Sequence, residues 1–144
     1  NGLSINSEDI LSFNIFLNDA TKSAKDENKK DTMNNLLKLY ALLPKYSSNS
    51  TDDIFTNLLD TKLQVLNAYV LTEDQNWDEI NKRLDNALNE YGGIINVEMN
   101  SKNPAGVSQT YILLKELQRS TSSKDVDIFY INYKNFMQEI QSLE

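Results

Sequence analysis

Between Val126 and Leu143 the apolar residues Val126, Phe129, Tyr133, Phe136, Ile140 and Leu143 recur at steps of three and four without a break. Side chains that return about every 3.6 residues share one face of an α-helix, whereas a half-buried strand alternates with a period of two. The same spacing runs upstream through Ile10, Phe13, Leu17, Ala20 and Ala24, and again through Met33, Leu36, Leu37, Tyr40 and Leu43. It returns in Phe55, Leu59, Leu63, Leu66 and Val70, in Trp77, Ile80, Leu84, Ala87 and Tyr91, and in Val107, Tyr111, Leu114 and Leu117. With 4 Gly and 2 Pro the chain has too few breakers to punctuate a many-stranded β fold. The sequence therefore predicts an all-α, antiparallel helical bundle of five to six helices. Its 144 residues suit a single domain, because halves would bury too little core. Residues 1–6 read as a loose N-terminal lead-in.

Local signals place the boundaries. Ser7 before Glu8 and Asp9 reads as a helix start, and the polar run from Lys25 to Asp31 as its end. A second helix is expected from about Asp31 to Leu43, stopped by Pro44, with a loop over Tyr46 to Thr51. Ser50 with Asp53, Thr72 with Gln75 and Ser122 with Asp125 resemble capping boxes that open three further helices. Asn103-Pro104 is a cap followed by proline at the first helical position. Gly92-Gly93 costs a helix roughly 2 kcal/mol relative to alanine. Ile94 and Ile95 nevertheless continue the apolar phase, so a kinked helix reaching about Asn100 is expected. No internal repeat or low-complexity linker stands out.

Much chemistry is excluded by residue type. Neither His nor Cys occurs, so no Ser-His-Asp triad, Cys-His pair or disulfide can be assembled. The di-iron helical bundles need Glu-x-x-His, which is absent, and Cys/His zinc sites are impossible. No glycine-rich phosphate loop or calcium loop is present. Asp52-Asp53, Glu73-Asp74 and Asp78-Glu79 each fall near an expected helix N-terminus, where carboxylates are favoured anyway. The net charge of −7 opposes nucleic-acid binding and unaided adsorption to anionic lipid. No apolar run approaches the ~20 residues that span a bilayer. No catalytic, cofactor-binding or metal-binding residue is assigned, and the chain is expected not to be an enzyme.

The aromatics Trp77, Tyr91, Tyr111, Phe129, Tyr133 and Phe136 occupy core phases, which packing alone explains. Ile128, Tyr130 and Ile131 make the start of the last helix apolar nearly all round, as expected of a helix buried against several neighbours. Tyr130 lies about 100° from the Phe129–Tyr133 stripe. Its exposure beside Tyr69 or Tyr46 would point to a binding patch. Asn49-Ser50-Thr51 matches a glycosylation sequon by chance and reads as a helix start.

A bias of 12 Lys against 2 Arg, with 19 Asn, fits an AT-rich genome. The stretches from Leu66 to Leu71, Tyr111 to Gln118 and Asp127 to Asn135, with Leu43-Pro44-Lys45-Tyr46 and Trp77, resemble uncharacterised lipoproteins of clostridia-like Gram-positive bacteria. That resemblance covers roughly Leu36 to the C-terminus. It implies an extracytoplasmic domain, held at the membrane by a lipid on a cysteine upstream of Asn1. It carries no activity to any residue. The expected function is a non-catalytic cell-envelope module that binds a protein or another envelope component. The alternatives are a small-molecule or peptide carrier with an aromatic groove between helices, and a bundle that self-associates through the last helix.

Overall fold

A computed structural model describes residues 7–47, 53–95 and 102–143. Among them six α-helices and two short 3₁₀ turns account for the regular structure, and no strand is present. The all-α helical bundle expected from the periodicity is what forms. The chain groups into two compact units, Asn1–Thr51 and Asp52–Glu144.

The first unit is a helical hairpin of α1 (Ser7–Lys25) and α2 (Lys29–Ser47). At the turn Glu27 takes the left-handed conformation, φ 56°, and Asn28 N–H reaches back to the Ser23 carbonyl at 2.9 Å. Asn28 then caps α2. Its Oδ1 accepts from Asp31 N–H at 3.0 Å, and its amide donates to the Asp31 carboxylate at 2.7 Å. Asn35 Nδ2 donates to Ser23 Oγ, and the Lys38 ammonium lies 5.5 Å from the Phe16 ring centroid, so the two helices run antiparallel. The α2 backbone continues through Pro44 to Ser47, beyond the stop expected at Leu43. Proline removes one hydrogen bond to the carbonyl four residues back, and so close to a helix end that loss interrupts only the final turn. Of the stripe residues expected inside, Ala20 is buried, while Leu17, Ala24 and Leu36 are exposed; Leu42, beside the second stripe, is buried as well.

The second unit is an antiparallel four-helix bundle: α3 (Asp53–Val70), α4 (Trp77–Ile95), α5 (Pro104–Ser120) and α6 (Val126–Gln141). Matched contacts fix the register. Tyr91, Asp85 and Asn81, read backwards along α4, meet Val107, Gln118 and Thr121, read forwards along α5 and its end. Asn57 lies beside Gly93, Gly106 beside Leu143, and Tyr69 beside Tyr133. Each helix therefore packs antiparallel to its two neighbours, and the ring closes α3–α4–α5–α6–α3. Trp77 meets Phe129 edge-on at 6.1 Å across the diagonal. The core draws on all four helices: Leu58, Val65 and Ala68; Ile80, Leu84, Ala87 and Tyr91; Val107, Leu114 and Leu117; Phe129, Phe136 and Ile140.

Two caps differ from expectation. Thr72 lies in the 3₁₀ turn Leu71–Asp74 and bonds the Tyr69 carbonyl, and α4 is capped by Asn76, whose Oδ1 accepts from Glu79 N–H. Ser122 bonds back to the Arg119 carbonyl, while Asp125 caps α6 through Asp127 and Ile128 N–H. In both places the preceding helix tightens into a 3₁₀ turn that uses the hydroxyl for its own carbonyls. Asn103 does cap α5, accepting from Gly106 N–H at 3.0 Å, with Pro104 first in the helix. α4 runs through Gly92-Gly93 to Ile95, and both glycines keep negative φ. The expected continuation to Asn100, the Ser50 cap, the Asn49 sequon and the 1–6 lead-in lie outside the described residues.

A repeat hidden in the sequence emerges at the hairpin turns. Glu27-Asn28, Gln75-Asn76 and Lys124-Asp125 each place a left-handed residue directly before an Asn or Asp cap. These three described turns thus use the same two-residue device, written in different letters.

Candidate functional site

The first two turns of α6 are apolar nearly all round, and the structure covers only one side of them. Phe129 and Phe136 point into the core at 0% exposure. Residues displaced by about 100° or more per step rotate away from that stripe. Ile128 is 44% exposed, Tyr130 42% and Ile131 60%. The expectation that this segment is buried against several neighbours is thereby corrected. Within the four-helix unit α6 packs between α3 and α5, so none of that unit's described helices covers its outer face.

Tyr130 is exposed beside Tyr69, the arrangement expected of a binding patch. Its ring centroid lies 5.6 Å from Tyr69 and 6.3 Å from Tyr133. Tyr69 and Tyr133 stack at 4.5 Å, filling the seam between α3 and α6 with their own rings. The Lys134 ammonium lies 5.7 Å from the Tyr130 centroid, a cation–π contact that keeps a positive charge at the patch. Burial first, then the neighbouring Tyr69 and Tyr130, push the Tyr133 hydroxyl up to about 12, so it stays a neutral donor at physiological pH.

The remaining polar features read as structural. Tyr91 is fully buried and donates its hydroxyl to the Val107 carbonyl at 2.8 Å, tying the end of α4 to the start of α5. Burial raises its pKa to about 12. Asp60 is raised by burial. At the hairpin turn a shallow cleft of about 280 Å³ is lined by Asp19, Lys22, Ser23, Asp26, Asn28, Asp31 and Asn35. Asn28 and Asp31 are engaged there in capping α2. Among the described residues no group of three or more His, Cys, Asp or Glu side chains is placed to hold a metal ion.

No family model, curated protein or solved structure matches this chain. The patch must therefore be read from its own chemistry. It joins three large apolar side chains to a flanking acid, Asp127, and a flanking base, Lys134, all on the exposed side of one helix. It has what a docking face needs: aromatic and aliphatic area at its centre and charge at its rim. Tyr111 and Ile112 on α5 are also exposed, with the Lys115 ammonium 5.9 Å from the Tyr111 ring centroid. Sequence reasoning placed Tyr111 in the core. Its ring lies 6.5 Å from buried Tyr91, at the bundle's margin. Among the described residues no helix is long and apolar enough to cross a membrane.

Proposed function

We propose that this protein is a non-catalytic interaction module of the cell envelope, acting outside the cytoplasmic membrane and binding protein through the outer face of α6. The observation that carries the docking role is the exposure of Ile128, Tyr130 and Ile131 in four consecutive positions of a well-packed helix. Isolated exposed apolar residues are ordinary, but Tyr130 and Ile131, side by side on one helix face between Asp127 and Lys134, mark an interaction surface. The envelope location rests on the sequence resemblance to Gram-positive lipoproteins, with a lipid anchor upstream of Asn1. Because Tyr69 and Tyr133 fill the α3–α6 seam, the outer face is favoured over a carrier groove between those helices.

Immobilised protein and its Ile131→Ser variant, exposed to solubilised envelope fractions, test the reading. The native chain is expected to retain a protein, identified by mass spectrometry, that the variant does not. Equal retention by both overturns the assignment of this face.

A further inference from the structure

We infer that the α6 face is self-complementary and that its occupant is a second copy of this chain, bound antiparallel about a two-fold axis between Tyr130 and Ile131. This deepens the docking role proposed above and rests on it.

The order of chemistry along the face carries the inference. Asp127 and Lys134 are two helical turns apart and fall on nearly the same line of α6. Tyr130 and Ile131 lie midway between them, and Ile128 flanks the line. Reading the face in reverse exchanges acid for base while the apolar centre maps onto itself. When two such helices meet antiparallel, Asp127 of each lies against the partner's Lys134, and Tyr130 and Ile131 are covered together. An isologous dimer repeats each contact twice, so one complementary pair becomes two. Parallel pairing would set acid against acid and base against base.

The side chains are disposed for this. Asp127 and Lys134 are both exposed. The Lys134 ammonium is held over Tyr130, already above the apolar centre that a partner would cover. The N-terminal cap of α6 is Asp125, which leaves the Asp127 side chain uncommitted to capping. A single helix face of this length makes a small interface, so the dimer is weak and concentration-dependent.

Sedimentation equilibrium on the full chain decides the matter, with Asp127→Lys and Lys134→Asp as variants. Each variant alone sets like charges together at both ends of the face and is expected to weaken the dimer roughly tenfold. Mixing the two variants in equal amounts restores association, because both contacts of the mixed dimer are again opposite in charge. The double variant Asp127→Lys/Lys134→Asp likewise regains native affinity. Circular dichroism confirms that each variant keeps its helix content. A monomer mass up to about 1 mM overturns self-pairing. So does a mixture no tighter than the single variants. If the chain is monomeric yet retains a different envelope protein through Ile131, self-pairing fails while the docking role stands; loss of both removes the patch.

Discussion

Gly92 and Gly106 look alike in the sequence, yet their surroundings differ. A Cβ on Gly92 would meet nothing within 4 Å, and its φ is an ordinary helical one. A Cβ on Gly106 would lie 2.5 Å from Asn103 Nδ2 and 2.9 Å from Leu143 Cδ2. The same substitution should therefore act in opposite directions. Gly92→Ala is expected to stabilise by about 0.5–1 kcal/mol, because helical backbone entropy is no longer lost to glycine. Gly106→Ala is expected to cost roughly 1–3 kcal/mol, by crowding Leu143 and disturbing the Asn103 cap. Urea denaturation of both variants checks the pair. Conformation is also tunable at Gln75, which holds φ 52° without being glycine. Gln75→Gly relieves that cost, and a gain of up to about 1 kcal/mol is expected in the same assay.

At the scale of the element, the start of α6 distinguishes two readings of one sequence. Ser122 and Asp125 stand in capping-box spacing, but the structure gives the cap to Asp125 alone. Asp125→Ala is expected to lower stability by about 1 kcal/mol, and Ser122→Ala by no more than a few tenths. Thermal melts of the two variants read the difference directly; equal losses would contradict the structural cap. The same displacement occurs at α4, where Asn76 caps and Thr72 does not. Sequence spacing located both helix starts to within a few residues. It missed the 3₁₀ turns, because whether a helix tightens before ending depends on the packing of the whole hairpin. It also missed the shared turn, since Glu, Gln and Lys give no hint of a left-handed backbone that glycine would announce.

For the bundle as a whole, two buried phenols give alkaline pH a defined effect. Tyr91 and Tyr133 are pushed from the ordinary 10 up to about 12 by burial. The folded state therefore holds these protons more tightly than the unfolded chain. Below pH 10 both states are protonated and stability is independent of these groups. As pH rises from 10 through about 12, the unfolded chain ionises first and folding weakens, by at most roughly 2–3 kcal/mol at buried Tyr91 and by less at partly buried Tyr133, where solvent screens the charge. Denaturation midpoints measured from pH 9 to 12 should fall along that window. Tyr91→Phe should make the fall shallower while lowering stability at neutral pH, because the Val107 carbonyl loses its donor.

The helical class, the inward stripes of α4 and α6, and the Asn103-Pro104 start of α5 are all written in the order of residues along the chain. These follow from periodicity and backbone chemistry, which act within a few residues of chain. Burial of Ile80, Leu84, Tyr91, Phe129, Phe136 and Ile140 was legible for the same reason. Tertiary structure alone decided which apolar residues are left over. Ile131 is as apolar as Ile140, but a period gives only the angle of a side chain about its own axis. It does not say how many helices stand around that axis. With α3 and α5 as its neighbours, α6 covers Ile140 and leaves Ile131 facing outward, and that remainder is the candidate site. The need for glycine at 106 is equally non-local, since Leu143 arrives there only once α5 and α6 have paired.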